Sequence, residues 1–159
     1  MFNINEIIPE EFCLKCDGCC RFAEANSVWF PHLLKAEEKI IPKGKFRLVI
    51  NKKGHNFICS FLNVRDNKCK IYGIRPFECC LYPFLLNCDA ESGKIFLAVD
   101  INCTFVKENL KKPEFKKYTK YLTTLFNSLD FSELMKNNPQ IIQSYPDVLN
   151  LAELTHETQ

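Results

Sequence analysis

Apolar and polar positions change rhythm several times along the chain. Apolar runs at Lys45–Ile50 and Asn56–Leu62 flank the turn-forming Lys52-Lys53-Gly54 and read as two strands, and Lys94–Ile101 after Ser92-Gly93 reads as a third. Ahead of them, Ser27-Val28-Trp29-Phe30-Pro31 suggests a short extended lead into a helix over about His32 to Lys39, stopped by Pro42 and Gly44. Pro113 suits the first position of a longer helix, where its missing amide hydrogen is not needed. Phe115, Tyr118, Leu122, Leu125, Phe126 and Leu129 then fall on one helical stripe, which reads as core packing. Asp130 with Glu133 has the form of a capping box that restarts the helix. Asn138-Pro139 and Tyr145-Pro146 cut the tail into further short helices.

With 159 residues and 47% hydrophobic content, the chain fits one domain, residues 1–159, large enough to own a core. Its ten cysteines all lie between Cys13 and Cys103. Residues 1–103 therefore form a cysteine-cluster metal-binding region, and residues 104–159 a helical C-terminal region. The expected fold is α+β: a loop-rich cysteine metal-binding module on a small antiparallel sheet, packed with a helical C-terminal segment. No linker, repeat or low-complexity tract separates the two regions.

A formal charge of +2, from 21 basic and 19 acidic residues, offers no excess suited to gripping nucleic acid. No segment is apolar for long enough to span a bilayer, and Met1-Phe2-Asn3-Ile4-Asn5-Glu6 lacks the basic, then apolar, start of a signal peptide. A cytoplasmic location is the expectation, and there cysteines serve metal ligation or catalysis rather than disulfides.

The densest chemistry is Cys13-Leu14-Lys15-Cys16-Asp17-Gly18-Cys19-Cys20. Thiols at intervals of three let a turning backbone direct successive sulfurs toward one centre, with Gly18 helping the bend. The adjacent pair Cys19-Cys20 fits poorly on a single tetrahedral ion, because neighbouring Cβ atoms diverge. Two centres or one polynuclear cluster accommodate it better. Downstream come Cys59-Ser60-Phe61-Leu62, then Cys69-Lys70-Ile71-Tyr72, Arg75-Pro76-Phe77-Glu78-Cys79, and Tyr82-Pro83-Phe84. Pro76 can open a helix that places Cys79 in its first turn, where the dipole favours thiolate. Arg75, with Lys68 or Lys70, can offset sulfur charge, although an ordinary ion pair for Arg75 fits equally well.

Taken together, these motifs resemble the CxxCxxCC cysteine-cluster family, the YkgJ-like zinc- or iron-chelating domain, over approximately positions 13 to 103. The resemblance implies eight metal ligands: Cys13, Cys16, Cys19, Cys20, Cys59, Cys69, Cys79 and Cys103. Cys80 stands where the family often has a basic residue, and Cys88 is a further extra; each suits a buried apolar, ligating or redox role. His32, His55 and His156 are not spaced as a metal motif, and only His55 lies near enough to Cys59 to join a site.

Thiolate ligands suit an iron–sulfur cluster, of 4Fe-4S type, or zinc. The triply spaced run with a doublet leans toward iron. A related cysteine pattern occurs in flagellin lysine N-methylase, which works with S-adenosylmethionine, so the resemblance extends to a redox or protein-modification component. This chain has no glycine-rich methyltransferase loop and no motif of the familiar enzyme classes. The alternative is a zinc-stapled interaction module without catalysis, whose helical tail docks another protein. Phe61, Tyr72, Phe77 and Phe84 are expected to wall the sulfur from water, which argues against metal storage or delivery.

Overall fold

The computed structural model describes residues 4–16, 18–42, 44–52, 54 and 56–155. They form a mixed α+β fold whose contacts divide the chain into two compact units, residues 1–80 and 81–159. His55 and His156 lie outside the described residues, as do Asp17 and Lys53.

The first unit opens with helix α1 (Glu10–Lys15) and strand β1 (Arg21–Phe22). Strands β2 (Leu48–Ile50) and β3 (Phe57–Cys59) pair antiparallel, with Ile50 opposite Phe57, and β1 adds to the other edge of β3. The hairpin read from the apolar runs is therefore present but shorter. The second run splits, because its last residues leave β3 and pair in a separate ribbon of β4 (Leu62–Asn63) with β5 (Lys68–Cys69). Phe22, Leu33, Ile41, Phe46, Ile58, Cys59 and Leu62 make the core, and the Phe30 and Phe46 rings stack at 4.8 Å.

The helix expected over His32 to Lys39 shrinks to one 3₁₀ turn, Glu37–Lys39. Leu33 and Leu34 are both buried, which consecutive positions on a surface helix do not readily achieve. Glu37 folds its carboxylate back to accept the Leu34 amide at 2.9 Å, half of a capping box for a helix that goes no further. Helix α2 (Phe77–Leu81) follows Pro76, as the sequence implies.

In the second unit, strands β6 (Phe84–Cys88) and β7 (Ile95–Asp100) pair antiparallel. Helices α3 (Thr104–Asn109), α4 (Pro113–Phe126) and α5 (Leu129–Asn137) follow, then strands β8 (Ile142–Gln143) and β9 (Val148–Glu153). The sheet order is β8-β6-β7-β9, with β8 parallel to β6. Pro113 takes the expected first helical position of α4. Phe115, Leu122 and Phe126 are buried as the stripe requires, whereas Leu129 is 80% exposed because α4 has already ended. Ser128, not Asp130, caps α5, its hydroxyl accepting the Phe131 amide at 3.3 Å. Asp130 lies in the first turn, where its charge suits the dipole. The tail is not helical throughout: β9 pairs with β7 along its length. No helix of the described residues is long and apolar enough to cross a membrane.

Candidate metal centre

Cysteines of the first unit reach one neighbourhood from several separate elements. Cys13 lies in α1, and Cys16 ends that helix in extended conformation (φ −98°, ψ 137°), its amide bonded to the Cys13 carbonyl at 3.2 Å. A Cβ on Gly18 would stand 3.4 Å from the Cys16 sulfur, so the glycine leaves that side of the thiol open. Cys19 and Cys20 occupy the turn before β1. The Cys59 amide donates to the Cys20 carbonyl at 3.1 Å, which ties the doublet to the end of β3. Cys69 sits opposite Leu62 in the small ribbon, and Cys79 and Cys80 lie in α2.

The thiols feel one another electrostatically. A hydrogen bond within the adjacent pair raises the Cys19 pKa well above its ordinary value and lowers that of Cys20 to about 7, burial opposing the latter and Arg21 and Arg75 assisting it. Cys79 and Cys13 also act on Cys19. Burial pushes Cys59 up to about 11 against hydrogen bonds from the Phe61 and Leu62 amides, with Cys20 and Cys69 adding repulsion. Cys69 is likewise raised by burial and held back by the Ile71 amide. Cys79 is raised furthest by burial, then by Cys20, Cys59, Cys69 and Cys80. Cys13, Cys19, Cys20, Cys59, Cys69 and Cys79 are thus linked through mutual repulsion once charged. Among the described residues, no three His, Cys, Asp or Glu side chains already stand in a metal-binding arrangement.

Cys79 lies in the first turn of the helix after Pro76, as the sequence implies, but not every amide of that turn is left to face sulfur. Helix α2 has five residues, and its Phe77 amide is taken by the Glu37 carboxylate at 2.6 Å. Glu37 is only 2% exposed, and burial raises its pKa while the Leu34 and Phe77 amides pull it down. Sequence reasoning missed this anchor. The Leu34-x-x-Glu37 spacing hints at the local bond, but nothing local signals the bond to Phe77.

Arg75 forms the ion pair that was one of its two readings, with Glu6, and its guanidinium lies 3.7 Å from the Tyr72 ring centroid. Burial opposes its charge, but the Glu6 contact more than compensates and raises its pKa. Its hydrogen bonds go to Glu6 and the Tyr72 carbonyl rather than to sulfur; it favours thiolate at Cys20, Cys69 and Cys80 through its field alone. Lys70 bonds the Ser60 carbonyl at 3.4 Å.

Of the aromatic wall, Phe61 packs against the core cluster, as Cys20 and Cys79 also do, and Phe77 is buried. Phe84 belongs to the second unit, stacked on Phe115 at 5.1 Å. Cys88 and Cys103 are also in that unit. Cys88 ends β6 with its thiol on the Asp89 carbonyl at 3.9 Å, and Cys103 is buried at the N-cap of α3. Cys16, Cys19, Cys20, Cys59, Cys69, Cys79, Cys80 and Cys88 are free of disulfides. His32 is not drawn to the thiols, its Nδ1 standing 3.5 Å from the Glu78 carboxylate.

A family model described as "Putative zinc- or iron-chelating domain" matches residues 12–104. The chain belongs to the CxxCxxCC family. That membership assigns it metal binding, of zinc or iron, by a cysteine cluster. Comparison with curated proteins and with solved structures finds no match. The residues present fit such an ion: soft sulfur donors from four segments, with peptide N–H groups of Phe61, Leu62 and Ile71 directed at two of them.

Proposed function

We propose that Cys13, Cys16, Cys19, Cys20, Cys59, Cys69 and Cys79 hold an iron–sulfur cluster or clusters, of 4Fe-4S type, in a cytoplasmic redox or protein-modification component similar to lysine N-methylases. The observation that carries the reading is the repulsion that Cys20 and Cys79 share with Cys59 and Cys69, combined with the amide donors on the last two sulfurs. Repulsion of this kind opposes ionising the thiols together. A bound cation removes it, and N–H···S bonds stabilise the charge left on each sulfur.

When bound, such a cluster would supply one-electron chemistry or Lewis acidity. The chain's own part is to hold thiolates, to stabilise the charge at Cys20 through Arg21 and Arg75, and to exclude water with Phe61, Phe77 and the core around Cys59. Two adjacent thiols at Cys19-Cys20 favour a polynuclear centre, or a second one, over a single tetrahedral ion. Protein purified without oxygen is expected to be brown and to contain iron with acid-labile sulfide. Colourless protein with stoichiometric zinc and no sulfide overturns the cluster in favour of the interaction module.

A further inference from the structure

The turn between β4 and β5 does more than reverse the chain. Asn67 adopts φ 59°, the left-handed region that asparagine enters more readily than most residues. Its side chain is spent on distant partners. Nδ2 donates to the carbonyls of Leu14 at 3.3 Å and Cys16 at 3.2 Å, while Oδ1 accepts from an Arg21 guanidinium nitrogen at 2.7 Å. One side chain thus ties the end of α1, with Cys13 and Cys16, to the residue directly after Cys20 and to the strand that carries Cys69.

We infer that Asn67 is a positioning residue for metal uptake, setting the Cys13–Cys16 segment against the Cys59 and Cys69 side of the ligand set. The inference rests on the chelation reading above. Its physical basis is that ligands on separate segments must otherwise be ordered when the ion arrives, and a preformed clamp spares much of that ordering entropy. Both of these Asn67 Nδ2 bonds go to main-chain carbonyls, so the residue acts through the loop and not as a ligand.

Asn67→Gly keeps the left-handed backbone and removes the clamp, whereas Asn67→Asp keeps the Arg21 contact and replaces the amide nitrogen with its two N–H donors by one acceptor oxygen. In full-length reduced protein titrated with Zn²⁺ or Co²⁺ against a chromophoric chelator, both variants are expected to bind about 10- to 100-fold more weakly than wild type. In metal-free protein, alkylation followed by mass spectrometry is expected to show faster labelling at Cys13 and Cys16, with Cys88 unchanged. Equal metal affinity in wild type and both variants overturns the inference, as does a uniform rise in labelling at every cysteine. Wild-type protein that takes up neither ion and carries no iron when purified without oxygen defeats the chelation reading instead, and the labelling pattern then still decides whether Asn67 holds the loop.

Discussion

Cys59→Ser and Cys79→Ser proteins are expected to retain almost none of the metal that the wild-type chain carries. Serine keeps the size of the side chain but replaces a soft thiolate by a hydroxyl that stays protonated and binds iron or zinc poorly. Both positions are central to the linked set: Cys79 is acted on by Cys20, Cys59 and Cys69, and Cys59 by Cys20 and Cys69. The fall should exceed the roughly 10- to 100-fold loss typical of removing an outer contact. Because metal affinity is also folding free energy when the site is formed only in the native state, the thermal midpoint should fall with it. Cys88→Ser, at the end of β6 in the other unit, is expected to leave metal content nearly unchanged. Metal analysis of the three proteins side by side decides this, and equal losses in all three would contradict the ranking.

Glu37→Ala is expected to destabilise the protein by about 2–5 kcal/mol in urea unfolding. The carboxylate is buried and accepts two amides, Leu34 and Phe77, at 2.9 and 2.6 Å. Hydrogen bonds to charged groups contribute about 1.5–3 kcal/mol each, and the alanine protein leaves both donors without that partner. Glu37→Gln, which keeps one acceptor oxygen, should fall between the two. Burial raises the Glu37 pKa in the folded state, so its protonation favours folding below the ordinary carboxylate value, and this contribution fades as pH rises through the raised value. The glutamine protein should lack that component of the pH dependence. Unchanged stability in Glu37→Ala would show that the helix bearing Cys79 and Cys80 does not depend on this anchor.

Local signals explain what could be read before any coordinates. Pro113 at the first turn of α4 and the Phe115, Leu122, Phe126 stripe follow from the helical period and from proline's missing hydrogen. The β2–β3 hairpin and β7 follow from runs of strand-forming residues bounded by turns. Strand β6 was hidden because Phe84-Leu85-Leu86-Asn87 is buried throughout, so no alternation marks it. Strand β9 was hidden because Leu149, Leu151, Ala152 and Glu153 suit a helix, and pairing with β7 overrides that preference.

Candidate ligands were legible as residue types and spacings, since thiols crowded at Cys13 to Cys20 have few other uses. Their supports were not. Glu37 bonds a residue 40 positions away and Asn67 bonds residues 51 and 53 positions away, and no local pattern encodes such pairings. The ion pair of Arg75 with Glu6 spans 69 positions and is hidden for the same reason.

X-ray absorption at the metal edge of anaerobically purified wild-type protein tests sulfur ligation most directly. A first shell made of sulfur, with iron neighbours beyond it, is the predicted spectrum. A first shell dominated by nitrogen and oxygen would contradict chelation by these cysteines.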